Sequence, residues 1–246
     1  MVLDVEVNIQ NISKRFKKQT VLDLVTLTME SGQIHCLLGA SGAGKTTLLR
    51  ILTGALLADS GTVKMGDVVI PNRKFMKKIG FMPQEDGLYH ELSIYDNLRF
   101  FGGIQGIHGQ EFRDRAKELL EMIQLENEKN KLIANCSGGM KKRVSLAVSM
   151  IHSPDILLLD EPTVGIDPVL RCQIWEYLQA FKNQGKTIVV TTHVMDEIKN
   201  CDFAALLRDG HVIVKDTIPN LLKRSPDGNI ETLFFEKTQK GRERTC

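Results

Sequence analysis

The sequence predicts an α/β fold, a mainly parallel sheet flanked by helices, on three observations. Short apolar runs at Ile34–Leu38, Ile156–Leu159 and Thr187–Thr191 read as strands. Helical periodicity separates them: Lys45 to Leu52 follows the first run, and Leu170 to Phe181 lies between the other two. From about Ser93 to Ile151 the pattern turns mostly helical, which reads as an insert between two halves of the core.

The elements follow in order. Val5 to Ile12 alternates loosely, with Val5, Val7 and Ile9 set against Glu6, Asn8 and Gln10, as a half-buried strand does. A basic loop with Lys14, Arg15, Lys17 and Lys18 leads to a second strand over Val21 to Met29. Glu30, Ser31 and Gly32 make a turn before Ile34–Leu38, and the helix from Lys45 stops near Gly54. Gly61 to Ile70 reads as a strand pair around the Gly66-Asp67 turn. In the insert, Phe112 to Leu125 places Phe112, Ala116, Leu119, Leu120 and Ile123 on one helical face, and Val144 to Ile151 is a further helix. The residues after about Pro226 are polar and read as a fraying tail.

Composition narrows the function classes. The 32 Lys+Arg against 30 Asp+Glu give a net charge of +2, which argues against a nucleic-acid partner, since such domains are usually strongly basic. No apolar run approaches the roughly 20 residues of a membrane-spanning helix. Met1 to Val7 contains Asp4 and Glu6 and no apolar stretch, so no secretory signal is expected. Cys36, Cys136, Cys172, Cys201 and Cys246 are scattered, odd in number and without a CxxC pair, which fits a reducing compartment and packing roles.

The strongest chemical signal is Gly39-Ala40-Ser41-Gly42-Ala43-Gly44-Lys45-Thr46, a complete G-x-x-x-x-G-K-[ST] pattern between a predicted strand and a predicted helix. Glycines let the backbone curl so that successive N–H groups and the helix N-terminus face phosphates. Lys45 supplies a cation for the β/γ-phosphates, and the hydroxyl of Thr46 is placed to ligate Mg²⁺. Thr47, next in the chain, joins the nucleotide-binding set.

A second signal is Ile156-Leu157-Leu158-Leu159-Asp160-Glu161, an apolar strand that delivers two acids at its end. Alternation along a strand predicts that the two carboxylates point to opposite faces. Asp160 then reaches Mg²⁺, and Glu161 polarises the attacking water as general base. Together the two motifs specify a nucleoside triphosphatase. Ser137-Gly138-Gly139, at the start of a predicted helix, is a further anion platform, although the same triplet also suits a plain helix cap. One nucleotide does not need two cradles. The economical arrangement is a two-fold pair in which the platform of one protomer covers the γ-phosphate held by the other.

With these motifs on the page, almost the whole chain, from about Val5 to Leu222, resembles the nucleotide-binding subunit of an ATP-binding-cassette (ABC) transporter. The motifs stand in family order: Gly39 to Thr46, Gln84 in Phe81-Met82-Pro83-Gln84, the signature from Cys136 to Met140, Ile156 to Glu161, the loop Val164 to Asp167, and His193 in Thr191-Thr192-His193. The resemblance implies a P-loop NTPase core with a mainly parallel sheet, an antiparallel β subdomain and an inserted helical subdomain over about 88–152. The implied layout is one ATPase domain over 1–225, followed by the polar tail 226–246.

The family's roles carry over residue by residue. Gln84 resembles the glutamine that senses Mg²⁺ and water, and His193 the histidine that contacts the γ-phosphate and holds the attacking water. Asp167 resembles the aspartate that crosses the dimer interface, while Ser137 and Gly139 resemble the signature atoms that close over the partner's ATP. Phe16 stands where an aromatic ring, more often tyrosine, stacks on adenine; a phenyl face still stacks.

Two positions depart from the commonest signature: Cys136 replaces Leu and Met140 replaces Gln, both outside the Ser-Gly-Gly platform. Met140-Lys141-Lys142-Arg143 and Glu161 to Pro168 are similar to the drug-, antibiotic- or polymer-exporting type-2 branch, as are Asp86 to Gly106 and Thr191 to Glu197. The resemblance implies an ATP- and Mg²⁺-dependent subunit that dimerises with a second ATP-binding subunit. It implies a permease as a separate membrane polypeptide, with this chain peripheral on the inner, cytoplasmic face of the membrane. The permease-facing surface is expected near Glu85 to Asn97, with Leu88 and Tyr89 as anchors or as plain core residues. The alternatives are an importer subunit sharing the same chemistry, or a soluble cassette ATPase acting away from membranes.

Overall fold

The computed structural model describes residues 5–225 of the chain, so the expected tail at 226–246 and Cys246 lie outside the described residues. Strands β1 (Val7–Phe16), β2 (Gln19–Met29), β4 (Ser60–Met65) and β5 (Val68–Ile70) form a four-stranded antiparallel sheet in the order β2-β1-β4-β5. A second sheet takes the order β10-β9-β3-β8-β7-β6, built from β3 (Ile34–Leu38), β6 (Ile79–Met82), β7 (Ile156–Asp160), β8 (Thr187–Thr192), β9 (Phe203–Arg208) and β10 (His211–Thr217). All its pairings are parallel except the edge hairpin of β9 and β10. The α/β class with a mainly parallel sheet, an antiparallel sheet and added helices is as the sequence predicts.

The apolar runs of the central strands face two cores at once, which explains why they read as continuous rather than alternating. Ile34, Cys36 and Leu38 of β3, Leu157 and Leu159 of β7, and Ile188 and Val190 of β8 pack on one side. Leu37, Leu158 and Val189 pack on the other. The first core takes in the helices α2 (Ile94–Ile104), α3 (Gly109–Met122), α4 (Gly138–Met150) and α5 (Pro168–Asn183). The second joins the antiparallel sheet to α1 (Lys45–Leu52). Between β6 and β7 the chain runs through α2, α3 and α4 in succession. Phe112, Ala116, Leu119, Leu120 and Ile123 are all buried, as their spacing on one helical face requires.

Some boundaries differ from the sequence reading for local reasons. Helix α4 begins at Gly138, a turn and a half before the apolar pattern, because the Ser137 side chain caps it by accepting from the Met140 amide. Helix α5 begins at Pro168, with Asp167 as cap. Strand β6 is only four residues long, too short to show a period; β9 is a short apolar run inside the sheet, which periodicity alone does not tell from a buried helix segment, and β10 and the short α6 (Ile218–Arg224) have mixed polarity. Among the described residues no helix is long and apolar enough to cross a membrane.

Strand β6 is wedged beneath α4. A Cβ on Gly80 would lie 2.1 Å from the Ser149 carbonyl oxygen and 2.8 Å from the Pro154 ring. Both neighbours are part of the insert's return to β7, so neither yields cheaply. Gly80→Ala is therefore expected to lower unfolding free energy by about 2–3 kcal/mol, measured by urea denaturation.

Candidate functional site

The carboxyl ends of the parallel strands β3, β6, β7 and β8 open at one edge of the sheet, where crevices form in α/β folds. The loop after β3 begins at Gly39, where a Cβ would sit 2.3 Å from the Leu207 carbonyl oxygen. It ends at Gly44, which has φ of 103° and caps α1 without any side-chain hydrogen bond. Glycine is required at both, by a close approach and by a left-handed conformation respectively. The position of a Cβ on Gly42 is open, with nothing within 4 Å, so the loop presents bare backbone to the cleft.

Ala40 and Ser41 are exposed, whereas Ala43 is buried beneath the loop, its amide closing a turn on the Ala40 carbonyl at 3.1 Å. The Lys45 ammonium donates to the carbonyls of Gly39 at 2.6 Å and Ala40 at 3.1 Å, so a cation stands within the loop's curl. Burial lowers the Lys45 pKa, and the nearby carboxylates of Glu161 and Asp160 oppose that shift.

An open cleft of about 310 Å³ lies over this loop, lined by Ser41, Gly42, Gly44, Lys45, Thr46 and Thr47. Phe16 and Gln19, from the β1–β2 hairpin, bound one side; Gln84 and Glu161 bound the other. Phe16 is 46% exposed, its ring free on the cleft side, with the Lys14 ammonium 5.6 Å from its centroid. Of the residues singled out from sequence, Ser137, Gly138 and Gly139 do not line this cleft. Gly138 lines a separate small cavity with Gln84 and Lys142, and Gly139 faces the Gly165 carbonyl. The arrangement suits a phosphate-bearing ligand in the cleft, which the Ser137 end of α4 does not line.

The two acids separate in a way that strand alternation did not predict. Strand β7 ends at Asp160, and Glu161 leaves it with φ of 53°, a left-handed conformation costing a non-glycine residue about 1–2 kcal/mol. This turn, rather than the pleat, sends Glu161 to the cleft while Asp160 stays 1% exposed. Thr191, paired with Asp160 in the β7–β8 register, holds both. Its hydroxyl donates to Asp160 Oδ1 at 2.6 Å and accepts from the Glu161 amide at 3.0 Å.

Glu161 Oε1 lies 3.0 Å from His193 Nδ1, and Oε2 accepts from Gln84 Nε2 at 3.4 Å, so three of the named residues meet around one carboxylate. Asp160 Oδ2 is buried and has no hydrogen-bond partner among the described residues. An oxygen of that kind fits a hard cation such as Mg²⁺, and Thr46 and Gln84, which line the cleft, offer further oxygen ligands.

Two residues here lie within quoted motifs, and the sequence assigns neither a role. Thr191 looks like any β-branched strand residue, and only its register reveals its role. Lys142, on α4, has its pKa lowered by burial, with Glu161 and Asp160 acting against the shift, which places its charge near both acids. Asp167 is exposed and spends its carboxylate on the Leu170 amide at 3.0 Å. Leu88 is partly buried against the core, whereas Tyr89 is 46% exposed and packs edge-on against Phe100 at 4.6 Å. Beside it an open groove of about 320 Å³ runs between Phe81, Phe101, Ile104 and Val148.

Comparison with known proteins bears on this geometry. The family described as ABC transporter matches residues 22–164. The chain is 36% identical over 225 residues to the Nod factor export ATP-binding protein I of Burkholderia lata, covering 90% of this chain and 74% of that protein. It is 37% identical over 236 residues to ABC transporter G family member 20 of Dictyostelium discoideum, covering 94% of this chain but only 32% of that much longer protein. Among solved structures it is similar to a dimeric ATP-binding cassette in a post-hydrolysis state bound to ADP and Pi. That match has a TM-score of 0.80 and 28% identity, and covers 86% of this chain and 98% of the other.

Thr191→Val keeps the shape of the side chain but strips Asp160 of its donor and the Glu161 amide of an acceptor. It is expected to lower unfolding free energy by about 2 kcal/mol, whereas Thr191→Ser stays within about 1 kcal/mol of the parent; denaturant titration of the three proteins checks this.

Proposed function

The chain belongs to the ABC transporter family, and on that premise we propose that it hydrolyses ATP to drive a membrane exporter. The observation that carries the proposal is the Glu161 carboxylate, which opens into the same cleft as the glycine loop and Lys45 and is flanked by His193 and Gln84. A carboxylate beside a phosphate cradle is what in-line attack by water needs, because the water must lose a proton as the γ-phosphoryl group leaves.

In this reading Phe16 stacks on adenine, and the backbone from Gly39 to Thr47 with the Lys45 ammonium binds the phosphates. Thr46, Asp160 and Gln84 would hold Mg²⁺, which when bound neutralises phosphate charge. Glu161 takes the proton of the attacking water, and His193 keeps that water oriented. Ser137, Gly138 and Gly139, which stand away from the cleft, serve a second protomer's nucleotide. The dimeric cassette to which the chain is similar supports that pairing.

Residues 88–152 act as a helical subdomain, with 1–225 forming one ATPase domain. A separate permease polypeptide docks where this subdomain meets β6, in the groove between Phe81, Phe101 and Ile104, and holds the chain at the inner face of the membrane. The exporter direction rests on the Burkholderia relative, which is named as an export protein.

Glu161→Gln is expected to bind ATP while kcat falls about a hundredfold or more, leaving an ATP-bound dimer visible by size-exclusion chromatography; parental turnover in this variant overturns the general-base role. Ser137→Glu is expected to leave nucleotide affinity of the monomer within about threefold while abolishing ATP-dependent dimerisation, since the new carboxylate repels the partner's phosphates. Affinity purification from detergent-extracted membranes is expected to recover a permease; recovery of the chain alone overturns the transport reading.

A further inference from the structure

A second buried acid lies directly behind the Glu161–His193 pair and takes no part in lining the cleft. Glu197, in the 3-10 turn Met195–Asn200, is 2% exposed. Its Oε1 accepts from the Thr163 hydroxyl, and its Oε2 accepts from the Thr192 hydroxyl at 2.8 Å. Arg171 Nε stands 3.8 Å from Oε1, and Arg171 Nη2 donates to the Ile166 carbonyl at 3.2 Å. Thr163 and Thr192 are themselves 1% and 0% exposed. Burying a carboxylate costs several kcal/mol unless charge and hydrogen bonds compensate it, and here every compensating group comes from a different segment.

The placement of those segments gives the acid its meaning. Thr163 follows Glu161 by one intervening residue, and Thr192 immediately precedes His193. The hydroxyl of Thr192 also accepts from the Val194 amide at 3.0 Å, closing the turn that carries His193. On the other side, Thr191 already fixes where Glu161 leaves β7. Glu161 is thus pinned before its turn by Thr191 and after it by Thr163.

We infer that Glu197 is a positioning residue for ATP hydrolysis: one carboxylate bridging Thr163 and Thr192 holds the Glu161 turn and the His193 turn at a fixed separation. Glu197 touches neither nucleotide nor the reacting water, so it sets kcat through the 3.0 Å spacing of Glu161 and His193 rather than through binding. This rests on the ATPase reading for its kinetic consequence and on the structure alone for its mechanical one.

Glu197→Gln preserves shape but offers a donor where one threonine needs an acceptor. In the full-length chain, kcat is expected to fall at least tenfold while KM for ATP stays within about twofold. Hydrogen–deuterium exchange of the apo protein is expected to rise together in 162–166 and 191–195. Thr163→Val should reproduce the loss, and the double variant should be no slower than Glu197→Gln alone, because either change breaks the same bridge between Thr163 and Thr192. Unchanged kcat, a KM that rises with it, or faster exchange confined to 195–200 overturns the inference. Should the parent chain itself turn over no ATP, the ATPase reading falls, and the exchange measurement still decides on Glu197.

Discussion

The register between β7 and β8 is the constraint on which the rest of the site depends. It sets Thr191 opposite Asp160, so one hydroxyl donates to the buried carboxylate and accepts from the next amide. Those two bonds hold the chain at the point where Glu161 turns into a left-handed conformation. A one-residue slip would turn Thr191 to the other face of the sheet and leave Asp160 buried without a donor. Such a slip is opposed by two cores at once, because neighbouring residues of β7 and β8 alternate between them.

The glycine loop is subject to the same logic from the other direction. It is pressed against the end of β9 at Leu207 and against β2 at Val21 and Leu22, so its curl is fixed by packing beneath it rather than by any ligand. Lys45 is held inside that curl by the carbonyls of Gly39 and Ala40. An anion entering the cleft meets an ammonium already held in place, which keeps the reorganisation on binding small. The cradle and the acids therefore belong to one rigid sheet edge. The Ser137 end of α4 hangs from the three-helix excursion between β6 and β7; it shares a small cavity with Gln84 and does not line the cleft.

The buried polar groups behind the cleft follow a pattern. Thr191, Thr192 and Thr163 each use a hydroxyl to join a carboxylate to a backbone turn or to a second segment. Threonine suits this work: its branched methyl packs in a β core while its hydroxyl both donates and accepts. Chains of such bonds in a poorly solvated interior are strong and directional. They explain how a site on exposed loops keeps a 3.0 Å spacing between Glu161 and His193.

The sequence alone determined the fold class, the cradle and the residues to watch. Glycine spacing, the apolar run ending in two acids and the order of the motifs are local properties, written in consecutive positions. It also located most elements, from Ile34–Leu38 through the buried face of Phe112 to Ile123, since periods of 2 and 3.6 survive without tertiary context. Strands β6 and β10 escaped because four residues, or a mixed-polarity edge, carry too little periodicity, and β9 because a short apolar run does not by itself declare a strand. Which residues share a hydrogen bond across long separations is settled by the folded chain alone. Thr191 and Asp160 are 31 residues apart, and Thr163 and Glu197 are 34 apart. Nothing in a threonine or a glutamate of the chain announces its partner; strand register and packing choose it, and they exist only once the sheet has formed.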